Sequence, residues 1–413
     1  MKIAHIAPPW FSIPPKNYGG TENVVYNLVE EQVAQDHDVT LYAPGDAKTS
    51  AKLISFFPKS LIGSGVPWQS QLKAYYHLCE AVDDIKGKNF DIVHTHLSSS
   101  SDLFLFPLMA ALETPHVMTL HSRFPFDRLP NGWTGDADHL FMKWAPTMPM
   151  VAISEHARAE VPYPLNFVGV VYHGLPIGQF RPPRRKRGDY FAWLGRVVPD
   201  KGTHLAIQAA KEAGVPVVLA GTVDRSVQAS VRYFQEMIKP LVDNKQVRYI
   251  GPVKMKEKIN LLSRARGFLN PIEWEEPFGM VMIEAMALEC PVISFARGAA
   301  TELIEHGKTG FLVHDVDEMA QFIPRIDEID RAVTRQHVEK HFSVRVMTEK
   351  YIKIYRQLIR AHKEASRQPI PGVIRRKQLV NPDSTRVKTP LPDGAAHTVA
   401  RATNHNLKEK AGD

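Results

Sequence analysis

The sequence predicts an α/β chain of two doubly wound, Rossmann-like domains, each a parallel sheet covered by helices, facing one another across a cleft. Three observations carry this expectation. Short apolar runs end on proline, glycine or polar residues, as strands buried on both faces of a parallel sheet do. They alternate with segments whose apolar residues recur at helical spacing. A strand, glycine loop, helix, strand order opens the chain at Lys2 and starts again at Tyr190.

Taken in order, Lys2-Ile3-Ala4-His5-Ile6-Ala7 reads as a central strand stopped by Pro8-Pro9. After Tyr18-Gly19-Gly20-Thr21-Glu22, residues Val24, Val25, Leu28, Val29 and Val33 recur at helical spacing, which assigns Asn27, Glu30, Glu31 and Gln32 to other faces. Residues 39–43 resume as a strand. Gly19 and Gly20 let the backbone approach a ligand just before a helix N-terminus, where phosphate is favoured. The G-x-G-x-x-G spacing of a dinucleotide site is absent, and a plain tight turn is the bland reading. Further strands at 91–94, 116–120 and 150–153 each run into polar residues: His94 and His96, His121, and Ser154. Ligands of open parallel sheets bind beyond the carboxyl ends of strands, so His121 is the most suggestive histidine, with a hydrogen-bonded loop residue as the equal alternative. His94 and His96 form an H-x-H pair without further ligands at metal spacing, which favours local hydrogen bonding.

From Tyr172-His173-Gly174-Leu175-Pro176 through Pro182-Pro183 the pattern is loop-like, and the domain boundary falls here. Tyr190-Phe191-Ala192-Trp193-Leu194 is a fresh strand, and a helix from 203 to 213 stops at Gly214 before a strand at 216–220. Between them, Arg196 and Lys201 flank a glycine-bounded loop where a fork-shaped and a point-like cation can clamp a diphosphate. An ordinary charged loop is the alternative. The stretch Glu276-Pro277-Phe278-Gly279-Met280-Val281-Met282-Ile283-Glu284 is a second candidate site. Pro277 and Gly279 delay the helix to about residue 279 or 280, so Glu276 precedes it and Glu284 lies one turn inside. At about 1.5 Å rise per residue the two carboxylates are too far apart to share one reacting atom, and suit two holds on an elongated ligand. Strands at 291–295 and 310–313 flank Glu302. A last helix from 343 carries Met347, Tyr351, Ile354, Tyr355, Leu358 and Ile359 on one face and needs a partner surface.

These readings divide the chain into residues 1–180, 181–342, a helix over 343–365 and a tail over 366–413. Its 413 residues, 44% of them hydrophobic, suffice for two cores. Cys79 and Cys290 have no C-x-x-C spacing, which suggests neither disulfide nor zinc site and fits a reducing cytosol. No signal peptide or spanning segment is expected, since the longest apolar run, 103–112, contains Pro107. The net charge of +7 suggests nucleic acid or anionic membrane. From Ser366 onward, however, nine Lys/Arg against four Asp/Glu hold +5 of that charge, leaving about +2 for the body. No nucleic-acid motif accompanies it, so no nucleic-acid partner is expected; the tail reads as Pro-punctuated and disordered, with a peripheral membrane contact as the minority reading. The basic run Arg184-Arg185-Lys186-Arg187 reads as a solvated interdomain loop.

Together these motifs make the chain resemble the retaining, GT-B fold glycosyltransferases of family 4, also called glycosyl transferases group 1. The resemblance runs from Met1 to about Lys363 and rests on Gly19-Gly20-Thr21-Glu22, on Gly195-Arg196 with Lys201-Gly202, and on Glu276-Pro277-Phe278-Gly279 with Glu284-Ala285-Met286-Ala287. It implies a nucleotide-diphospho-sugar bound mainly by the second domain and a hydroxyl acceptor bound mainly by the first. It also implies a last helix crossing back to the first domain. Carried over by motif position, Arg196 and Lys201 would hold the diphosphate and Gly20 would let a backbone N–H reach it. Glu276 would bind sugar hydroxyls, helped by backbone N–H groups near Phe278, Gly279 and Met280, Glu284 would bind the ribose, and His121 would lie beside the sugar. No metal and no cofactor beyond the donor are implied, and a cytoplasmic enzyme, with a peripheral place at the inner membrane face as the added reading, is expected.

Cys290 and Ala299 stand where the family often has glycine, and Glu273 and Glu275 crowd Glu276. Competing readings are a sugar-nucleotide epimerase or phosphorylase on the same fold and a non-catalytic sugar-nucleotide-binding protein. A metal-dependent transferase could be argued from Asp136-Ala137-Asp138 or Asp315-Val316-Asp317.

Overall fold

Apolar strands sealed on both faces build two separate sheets in the computed structural model of the protein, which describes residues 1–16, 19–124, 126, 140–182, 187–225 and 227–367. The first contains β1 (Lys2–Ile6), β2 (Asp38–Tyr42), β3 (Lys52–Ile54), β4 (Ile92–Leu97), β5 (His116–Leu120), β6 (Met150–Ala152) and β7 (Phe167–Val170). All its pairings are parallel, in the order β3-β2-β1-β4-β5-β6-β7. The second contains β8 (Phe191–Arg196), β9 (Val217–Thr222), β10 (Val247–Tyr249), β11 (Phe268–Asn270), β12 (Val292–Phe295) and β13 (Gly310–Val313). Its order, β10-β9-β8-β11-β12-β13, is again parallel throughout. Strand order therefore reverses between β1 and β4 and between β8 and β11, and a crevice opens beyond the carboxyl ends at each reversal.

The last helix, Val344–Arg367, crosses back to the first domain. Met347, Tyr351, Ile352, Ile354 and Tyr355 are buried there against Ile3, Val24, Leu28, Ile92, Val117 and Val151. At about 1.5–3 kcal/mol for each fully buried large apolar side chain, this face gives the helix its anchorage. Chain segments leaving and re-entering the first domain meet at the same point, where Leu175 donates to Phe342 O at 2.8 Å and Val344 donates back to Leu175 O at 2.9 Å.

Three short strands, β3, β7 and β10, do not stand out in the sequence because they lie at sheet edges and are largely half-exposed. Gln32 is a correction: the helical spacing gives it a polar face, yet it is fully buried in the helix Gly20–Ala34. A buried histidine explains why, as described below. Asp315 caps the helix Val316–Phe322 by accepting from Glu318 N at 2.8 Å, so the second acidic pair has a structural task. Tyr18, Asp136-Ala137-Asp138, Arg184 to Lys186 and the tail from 368 lie outside the described residues. Among the described residues no helix is long and apolar enough to cross a membrane.

Candidate active site

Two loops meet at the reversal point of the second sheet. One follows β8 and carries Lys201 in the turn Pro199–Lys201; the other follows β11 and ends at the helix Met280–Ala287. Glu273 N–H donates to Asp200 O at 2.9 Å and ties the loops together. Gly279 precedes the helix with φ +94°, a backbone conformation that side chains disfavour. Gly298 approaches so closely that a Cβ there would lie 2.4 Å from Glu276 N, and the neighbouring Ala299 N–H donates to Glu276 O at 2.9 Å.

This scaffold turns Glu276 inward. Its carboxylate pairs with Lys201 Nζ and accepts from Trp274 Nε1 at 3.2 Å, while the ammonium lies 4.8 Å from the Trp274 ring centroid. The neighbouring carboxylates point elsewhere. Glu275 accepts from Gly298 N–H at 2.7 Å and lies 3.1 Å from His156, and Glu273 is 3.9 Å from His204. Glu284, in the middle of the helix, pairs with Lys258 at 2.6 Å, so the two glutamates have separate cationic partners. The first-turn N–H groups at Met280 and Val281 have no acceptor within their own helix. Arg196 ends β8 and is exposed.

The first domain closes on this loop from the other side. Ser154 Oγ, which caps the helix Glu155–Ala159, donates to Pro277 O at 2.7 Å. Glu302 of the second domain accepts from Glu155 N and His156 N at 2.8 and 2.7 Å and from Tyr172 OH at 2.9 Å. His121 follows β5 and is stacked on His173 with centroids 5.2 Å apart, and His173 in turn lies 4.8 Å from the buried ring of Phe278. Burial lowers the His173 pKa to about 3 and holds His121 well below the usual imidazole range. Gly19 is packed against Pro15 and Glu22, whereas nothing lies within 4 Å of a Cβ built on Gly20. His5, His94 and His96 hold nitrogens within 4.8 Å of one another, but each already has hydrogen-bond partners on both ring nitrogens. Those bonds account for the trio without an ion.

Two parallel sheets with paired crevices match known sequences over most of their length. Residues 18–177 match the family described as Glycosyltransferase Family 4, and residues 179–334 match Glycosyl transferases group 1. Together the two matches cover more than half of the chain. It belongs to the GT-B glycosyltransferases of family 4. Spore coat protein SA of Bacillus subtilis is 22% identical over 86% of the chain and 99% of its own length. Sucrose-phosphate synthase from Thermosynechococcus elongatus has the same fold, with TM-score 0.68 and 19% identity over 87% of this chain and all of its own. HepE from Anabaena, solved with UDP and glucose, superposes with TM-score 0.63 at 17% identity over 86% of this chain and 100% of its own.

For this glycosyltransferase, sequence reasoning brought out Lys201, Glu276 and Glu284 because charges at loop ends stand out against apolar runs. It missed Trp274, which bonds its near neighbour Glu276, and Lys258, His173 and Gln32, whose partners are distant in sequence. The turn Tyr172-His173-Gly174 at the domain boundary was the only available signal for His173.

Proposed function

We propose that this glycosyltransferase moves a hexose from a UDP- or GDP-sugar to a hydroxyl acceptor with retention of configuration and without a metal. The observation that carries the reading is the Lys201–Glu276 pair, brought together by two loops beside an open helix start. As the sugar leaves, negative charge grows on the diphosphate while the anomeric carbon becomes cationic. Lys201, Arg196 and the first-turn N–H groups near Met280 are preformed donors for that charge. In the ligand-free protein Glu276 neutralises Lys201; when phosphate takes the ammonium, the carboxylate turns to the sugar hydroxyls, with Trp274 holding it in place. Glu284 takes the ribose, exchanging Lys258 for it. The open space at Gly20 lets the first domain bring its backbone to the phosphate. That HepE from Anabaena was solved with UDP and glucose supports a donor of this class.

Thermal shift across UDP-, GDP- and ADP-sugars identifies the donor, and product analysis then gives the anomeric outcome. Turnover should be lost in both Glu276→Ala and Lys201→Ala and should persist in chelator. Retained turnover in the two variants overturns the site; loss in chelator overturns metal independence. A product formed without any acceptor would make the protein an epimerase.

A further inference from the structure

A layer of histidines lies beneath the cleft of the first domain. Parallel register sets His5 of β1 beside His94 of β4, and His96, two residues on, shares that face. His121 follows on from β5. All four are more than nine-tenths buried. Burial lowers the His5 pKa to about 4 and holds His96 and His121 well below the usual imidazole value. Each ring is therefore neutral near pH 7 and carries one N–H and one lone pair. In a chain of such rings, the direction of one hydrogen bond fixes the next.

The chain begins at Gln32. Its Oε1 lies 2.7 Å from His5 Nε2, so His5 donates from Nε2 and its Nδ1 must accept. That Nδ1 lies 3.0 Å from His96 Nε2, which therefore donates. His96 Nδ1 is left to accept from His121 Nε2, again at 3.0 Å. What remains is His121 Nδ1, a buried lone pair with no partner among the described residues. Gln32 is oriented by a second arm. Its Nε2 donates to Tyr355 OH at 3.3 Å, Tyr355 donates to His94 Nδ1 at 2.6 Å, and His94 Nε2 donates to Thr119 Oγ1 at 2.7 Å. With Gln32 Oε1 turned to His5 and Nε2 to Tyr355, one direction of donation satisfies both arms throughout.

We propose that Gln32, His5 and His96 are positioning residues that lock His121 in its Nε2–H tautomer, so that Nδ1 is an obligatory acceptor for a hydroxyl of the bound sugar. The sugar part rests on the functional reading above; the tautomer does not. A buried lone pair without a donor is unfavourable, and an O–H group relieves it. A phosphate or carboxylate oxygen, ionised and without a proton to give, is disfavoured at the same position. Because Tyr355 belongs to the crossover helix, that helix sets the hydrogen-bond direction at the cleft.

The test is nitrogen-15 spectroscopy of ring-labelled histidines in the ligand-free full chain at pH 7, assigned by single His→Asn substitutions. His5, His96 and His121 should all show the neutral Nε2–H pattern. Gln32→Leu should turn all three into tautomer mixtures, and Gln32→Glu, which keeps an acceptor, should restore the pattern. An Nδ1–H signal at His121 in the unsubstituted protein overturns the proposal, and so does an unchanged Nε2–H signal in folded Gln32→Leu. Should Gln32→Leu fail to fold, the unsubstituted spectrum decides alone. Adding UDP-glucose or GDP-mannose then tests the sugar separately. A locked tautomer whose signal moves with no donor keeps the relay and overturns the placing of His121 beside the sugar.

Discussion

In the second domain the polar groups stand as charged pairs at loop and helix positions, Lys201 with Glu276 and Lys258 with Glu284, while in the first domain they form a layer of neutral histidines. The pairs keep some contact with water: 21% and 15% of the Lys201 and Glu276 side chains, 18% and 13% of Lys258 and Glu284, are exposed. On the proposed function each partner is exchanged for a ligand group. The histidines are sealed, so they have lost their charge and retain only the direction of their hydrogen bonds. One region stores charge for exchange, and the other stores orientation.

Acid should break this contrast most severely. The folded-state pKa values of His5 and His77 are lowered from 6.5 to about 4 and that of His173 to about 3, and those of His94, His96 and His121 also lie well below 6.5. Below about pH 6.5 the unfolded chain binds more protons, so stability is lost as pH falls toward and through 4, at about 1.4 kcal/mol per unit for each histidine. Glu22 and Asp102, raised by burial to about 7 and about 6, act in the opposite sense because the folded chain takes up their protons first. Two carboxylates do not offset six histidines. Urea unfolding should weaken steeply from pH 6 to pH 5, and an invariant midpoint over that range would remove the distinction.

Replacing Lys201 with Ala sharpens the other side. Loss of a preformed donor to the leaving group should lower kcat by about 10²–10³-fold. The urea midpoint should change little, since the pair is partly solvated; a large stability loss with unchanged kcat would make the pair structural. Tyr355→Phe removes the hydroxyl between Gln32 and His94 and should cost about 1–3 kcal/mol in equilibrium unfolding. No measurable cost would mean that the layer tolerates a broken arm. Ser154→Ala loses a helix cap and the bond to Pro277, an effect of about 1 kcal/mol, and should raise KM for the donor by loosening the loop. An unchanged KM would show that the loop is held from the second domain alone.

Much of the second domain's half of the candidate site is legible in the sequence. Pro277 and Gly279 place the helix start where it is found, at Met280, and Gly214 stops the helix Thr203–Glu212. Glu276 and Glu284 are separated as helical rise requires, with different partners. The histidine half is only marked, as polar residues at strand ends. Spacing leaves His121 evenly between a site and a satisfied loop residue, and the structure gives it a bond to His96 on one nitrogen and, among the described residues, none on the other.

By itself the sequence determined the elements: local rules of proline, glycine and apolar period act over a few residues and need no knowledge of the rest. The order of the strands, the burial of Gln32, and the meeting of Lys201 with Glu276 came from the tertiary structure. Such contacts join residues as far apart as Gln32 and Tyr355, and only a closed fold decides which buried polar group answers another.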